Sequence, residues 1–146
     1  MNTTWILAAD ASRARIFEEI KDGSLRELED LVNPAGREDE HDIATDAKGR
    51  YLGKGERSQG HTAEPHVQTI EHEVQMFSKR VGAYLEQARS EQRYDKLCVI
   101  APPKFLGLLR ANIDERTRRT VSEEIPKDIA WFSEYEVQEY VKSLRH

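Results

Sequence analysis

Seven apolar residues, Val67, Ile70, Val74, Phe77, Val81, Tyr84 and Ala88, recur at intervals of 3, 4, 3, 4, 3 and 4. An α-helix turns once in 3.6 residues, so this spacing draws one apolar stripe along about six turns. Such a helix must lay its stripe against another layer. The partner is indicated by "KLCVIA" (96–101), a continuous apolar run with polar neighbours. It has strand length, and continuous apolarity suits a central strand covered on both faces. A helix beginning near Pro65 and a buried strand at 96–101 together predict helices packed on a sheet.

The remaining elements follow from period and punctuation. "TWILAA" (4–9) and "ARIFEEI" (14–20) read as strands,. "ADASR" (9–13) is the turn between them, and "KDGS" (21–24), with Asp22-Gly23 at its centre, turns the chain again,. "LRELEDLV" (25–32) carries leucines at helical as well as strand spacing, and its place after a tight hairpin favours a third antiparallel strand. After 96–101, Pro103 opens a helix at its first position, with Phe105, Leu106, Leu108 and Leu109 to bury it,. "DERTRRTVSEEI" (114–125) reads as a second short helix and "DIAWF" (128–132) as the last strand. Ser133 and Glu136 form a capping box that starts a C-terminal helix,. The order is β-β-β, long loop, α-β-α-α-β-α. It predicts a mixed five-stranded sheet of the α/β class, with three antiparallel strands and then strands joined by helices. That is the order of a ribonuclease H-like fold.

At 146 residues the chain has the size of one domain, so 1–146 is expected to be a single unit,. Its net charge of −5 argues against a surface that binds nucleic acid throughout, though not against a local basic patch,. The lone Cys98 leaves no internal disulfide and reads as a buried thiol,. No apolar run approaches membrane length, and the N-terminus lacks the pattern of a signal peptide, so a cytoplasmic location with no membrane partner is expected.

Residues 33–64 differ from the rest. They hold five of the eight glycines, and Ile43, Tyr51 and Leu52 are their only large apolar side chains. Acidic Glu38, Asp39, Glu40, Asp42 and Asp46 come first, and basic Lys48, Arg50, Lys54 and Arg57 follow. A loop of this length in a compact domain implies function or disorder.

Little chemistry is encoded as motif. Asp10, at the end of the first strand, could serve a metal-dependent nuclease. The third carboxylate such a site needs would fall at "APPK", where Lys104 repels a metal,. The five histidines show no zinc-binding spacing, so neither metal nor cofactor is expected,. Lys104, where a buried strand gives way to a helix, is placed to hold a phosphate. Arg116 and Arg119 share one helix face. With Lys48, Arg50, Lys54 and Arg57 they form the expected set of RNA or phosphate contacts.

"LAADASRARIFE", "GRYLGKGERSQGH", "EHEVQMFSKRV", "YDKLCVIAPPKFLGLLR" and "EIPKDIAWFSEYEV" occur in an order that resembles the bacterial host attachment protein family. More distantly the chain is similar to the middle domain of archaeal and eukaryotic class-1 translation release factors. The resemblance implies a ribonuclease H-like fold and a link to the ribosome. In release factors a Gly-Gly-Gln loop reaches the peptidyl-transferase centre. The comparable stretch here has Ser58 before Gln59 and Gly60, so the tripeptide is absent. Gln59 and Asp10 are therefore weak catalytic candidates. The expectation is a ribosome- or RNA-associated accessory factor without catalysis of its own. The alternatives are a protein-interaction module in attachment or surface physiology, and a peptidyl-tRNA hydrolase or nuclease.

Overall fold

The computed structural model describes residues 2–37 and 57–145. In chain order the elements are β1 (Thr4–Ala9), β2 (Arg13–Glu19), β3 (Leu25–Val32), α1 (Arg57–Ser90), β4 (Lys96–Ile100), α2 (Pro103–Asn112), α3 (Glu115–Arg118), β5 (Val121–Ile125) and α4 (Glu134–Leu144). Five strands make one mixed sheet in the order β3-β2-β1-β4-β5. β1 pairs antiparallel with β2 and β2 with β3, while β1–β4 and β4–β5 are parallel. Only β2 runs against the others.

The central strands β1 and β4 are covered on both faces, as the continuous apolar runs require. Trp5, Leu7 and Ala9 of β1, with Leu97 and Val99 of β4, meet the stripe of α1 and the apolar side of α2. Ile6, Ala8, Cys98 and Ile100 face the other way, against Val137 and Val141 of α4. Strand alternation thus divides the core into two layers. α4 begins with the expected capping box: Ser133 accepts from the Glu136 N–H and Glu136 from the Ser133 N–H. In the β2–β3 hairpin Gly23 takes φ +88°, a conformation that favours glycine, and Asp22 accepts from Ser24 N–H,.

Three expectations need correction. The second short helix of 114–125 is only the single turn α3, and Val121–Ile125 is the fifth strand. "DIAWF" (128–132) is not a strand: Ile129 and Ala130 are buried, but the chain turns there. The reason lies in who takes its backbone groups. Instead of a strand ladder, the Arg15 guanidinium donates to the Ala130 and Phe132 carbonyls, holding the segment as a turn. Finally, the loop of 33–64 is interrupted at both ends, since residues 34–37 are helical and α1 begins at Arg57 rather than near Pro65. Pro65 is tolerated inside α1 although it gives up one backbone bond,.

α1 is longer than the sheet can cover. Its 34 residues span about 51 Å,, whereas the five residues of β4 span about 17 Å,. Among the described side chains of α1, Ile70 is the first that is buried, and 65–69 are exposed. The N-terminal turns of α1 therefore project past the carboxyl edge of the parallel strands.

Candidate functional site

That carboxyl edge is where polar groups collect. The chain leaves β1 toward β2 and β3 and returns through α1 to β4, on β1's other side, so the connections that leave β1 and β4 part in opposite directions at the carboxyl edge. Open α/β sheets form crevices at such a point.

Asp10 follows β1. Its Oδ1 accepts from Ser12 N–H (2.8 Å), Ser12 Oγ–H (2.8 Å) and Arg13 N–H (2.9 Å). Its own N–H donates to the Arg13 carbonyl at 2.8 Å. The expected turn role is what the geometry contains. The burial is the surprise: Asp10 is 1% exposed, and its Oδ2 finds no hydrogen-bond donor among the described residues. Asp128 lies nearby, after Lys127, whose N–H reaches the Ala101 carbonyl at 3.1 Å beyond β4. Burial first, and the negative charge of Asp10 second, hold the Asp128 carboxyl above the usual carboxylate range,.

Beside this pair stands Trp131, 46% exposed, whose indole N–H donates to Ser12 Oγ at 3.1 Å. Two guanidiniums stack on its ring, those of Arg13 and Arg37, each 4.6 Å from the centroid,. Arg13 spends its donors on Asp30 through a bidentate pair at 2.9 and 2.7 Å. Arg37 makes neither a hydrogen bond nor an ion pair with the described residues. Its backbone is held close to the β1–β2 turn. Asn33 donates to the Ala11 carbonyl, and a Cβ on Gly36 would stand 1.8 Å from that same oxygen, so only glycine allows the approach.

Among the described residues, the expected contacts Lys104, Arg116 and Arg119 are not gathered in one place. Lys104 is exposed in the first turn of α2 and lines a cleft of about 220 Å³ with Glu71, Val74, Gln75 and Leu108. Arg116 and Arg119 lie beyond the other end of α2, whose ten residues span about 15 Å,. Arg119 pairs with Glu115 at 3.6 Å, and Arg116 is exposed. Lys48, Arg50 and Lys54 lie outside the described residues. Arg57 and Gln59 belong to the first turns of α1, and their side chains lie outside the described residues too. A second cleft, about 440 Å³, is lined by Asn33, Glu73, Met76, Phe77, Lys79 and Arg80.

Among the described residues no group of three or more His, Cys, Asp or Glu is arranged to hold a metal ion. No helix among them is long and apolar enough to cross a membrane. Burial, with a lesser push from Glu123, raises the Cys98 thiol to about 12, so it stays protonated and inert,.

Sequence reasoning missed Ser12, Arg13, Arg37, Trp131 and Asp128. The "DASR" turn carried a usable signal, because an Asp two residues before a Ser favours a side-chain-closed turn. Nothing comparable marked Trp131, which reads as strand core.

A family model described as "Protein required for attachment to host cells" matches residues 5–141. No curated protein matches the chain.

Proposed function

We propose, for a chain that belongs to the family of proteins required for attachment to host cells, an indirect role: a cytoplasmic accessory factor that contacts the phosphate backbone of RNA or of the ribosome, without catalysis of its own. The observation that carries this reading is the projection of α1. Its exposed residues 65–69 follow in the chain on the basic residues Lys48, Arg50, Lys54 and Arg57, and they emerge on the edge where Lys104 is exposed. A projecting arm that continues in sequence from a run of cations reaches a polyanion more readily than a flush surface does. The sheet order, with β2 alone reversed, supports the ribonuclease H-like reading of the fold and, with it, the distant likeness to release-factor middle domains. The family match along 5–141 supports one domain.

Sucrose-gradient sedimentation of a cell lysate at low and moderate salt tests the proposal. The protein is expected to migrate with ribosomal particles at low salt and to leave them as salt rises. A variant with Arg50, Lys54 and Arg57 changed to glutamate is expected to stay at the top. A native protein that stays at the top at both salts would refute the reading.

A second reading, a protein-interaction module, is favoured by one observation. Met76 (46% exposed) lines the larger cleft together with Asn33, and Val32 (54% exposed) precedes Asn33 in the chain. Recovery of a protein partner after nuclease treatment, lost in Met76→Glu, would support it.

A further inference from the structure

The indole of Trp131 is kept half-exposed at some cost, since burying an aromatic ring is among the larger gains of folding. Three contacts prevent its retreat into the core or its swing into solvent. Its N–H is fixed on Ser12 Oγ. The carbonyls on either side of it, those of Ala130 and Phe132, are held by the buried Arg15. Arg13, itself clamped on Asp30, packs on the ring. The ring is a rigid support, and what it supports is Arg37.

Arg37 differs from its neighbours. Arg13 and Arg15 have their donors filled by Asp30 and by Glu27 with two carbonyls. Arg37 stacks on the indole with its donors engaged by none of the described residues. A stacked guanidinium has already lost much of its rotamer freedom, so it forms a contact at less entropic expense than a free surface arginine. Its plane can receive a nucleobase, and its edge fits the oxygens of a phosphate.

We propose that Arg37, laid on Trp131, is a receptor for single-stranded RNA, with an unpaired base stacked on the guanidinium and the adjoining phosphate taken by the N–H groups that none of the described residues engages. This rests on the RNA reading above and locates a contact outside the basic stretch that suggested it. Glu38 and Asp39, next in the chain, oppose an anion, and salt screens the attraction of Arg37 for a phosphate, so the contact is sought at low ionic strength.

The two tryptophans are in unlike places, Trp5 being 2% exposed, which makes emission a local probe. The full chain is titrated with a short single-stranded oligouridylate at low salt. Anisotropy of a labelled oligomer reports binding, and tryptophan emission, with Trp131→Phe as blank, reports stacking. Saturable quenching is expected, with binding about tenfold weaker in Arg37→Ala. Arg37→Lys, which keeps the charge without the plane, is expected to be as weak as Arg37→Ala. Binding by anisotropy with unchanged Trp131 emission would overturn this receptor and leave the RNA reading standing. Full rescue by Arg37→Lys would also overturn it, because charge alone would then suffice. No binding at all would overturn both, and equal quenching by a glutamate-rich peptide would reassign the site to acidic peptides. Arg37 is exposed and bonded to nothing described, so its variants are expected to fold, with unchanged thermal unfolding as the control.

Discussion

Asp128 and Arg15 show how single side chains set the edge of this sheet. The Asp128 carboxyl is raised from an ordinary value of 3.8 by burial and by the charge of Asp10. A carboxyl raised in the folded state favours folding while it is protonated. That contribution is complete below the unfolded value and is lost as pH rises through the folded one. Asp128 stays exposed to solvent, so its charge at neutral pH is only a small net cost, and Asp128→Asn should raise stability slightly at pH 7. The gain should vanish by about pH 3, where both states are protonated. Urea unfolding of the two proteins at pH 7 and pH 3 checks this, and a less stable variant at pH 7 would contradict it. Arg15 works in the opposite direction. It is 4% exposed, bidentate to Glu27, and donates to the carbonyls of 130 and 132. Arg15→Ala leaves a carboxylate and two carbonyls short of donors, so a loss of about 3 kcal/mol is expected from the same denaturant measurement. Neither residue was legible in the sequence. Arg15 sits in an alternating strand where a cation reads as solvent-facing, and its partners come from 12 and more than 100 positions away. Asp10 was half legible: its turn is written in "DASR", its burial is not.

Elements were legible where their stabilisation is local or their apolar face is continuous. The stripe of α1, the double-sided run of β4 and the capping box of α4 each carry their own signal, and each was found. The helix face is broader than the strict stripe, however. Leu85 is 1% exposed and Ser78 fully buried, while Val67, which belongs to the stripe, lies beyond the sheet and is 40% exposed. β5 was misread because it is an edge strand whose glutamates are useful outward. Glu124 pairs with Arg110 and Glu123 with Arg145, so the alternation that marks a half-buried strand is filled with charge. "DIAWF" has strand composition, but its backbone partners are side chains. A close approach between elements was equally invisible. Gly82 of α1 faces α2, and a Cβ there would lie 2.5 Å from the Asn112 carbonyl oxygen. Glycine inside a helix ordinarily costs about 1 kcal/mol relative to alanine. Gly82→Ala should reverse that sign and destabilise by about 1–3 kcal/mol as the two helices are forced apart. A thermal midpoint above that of the native protein would show that the helices can separate freely.

The whole molecule is defined by a mismatch of lengths, a helix of about 51 Å, on a sheet whose parallel strands are about a third as long,. Packing can protect only the part of α1 that touches the sheet. Val74, Phe77, Val81, Leu85 and Ala88 are all within the larger core layer, whereas 65–69 are exposed. Helical turns that no core buries are marginal in water. Amides of 66–69 should therefore exchange with solvent far faster than those of 77–88, which are expected to open only with global unfolding. Native-state hydrogen exchange resolves the two stretches within one helix. Equal protection along 66–88 would mean that the projecting turns are held by something beyond the described core. Added single-stranded RNA should slow exchange in 66–69 without changing 77–88, because a polyanion that engages the arm orders the turns the sheet does not reach. If those amides respond to no RNA at low salt while the oligomer still binds, the arm is not the contact, and the phosphate-binding residues lie at the edge of the sheet instead.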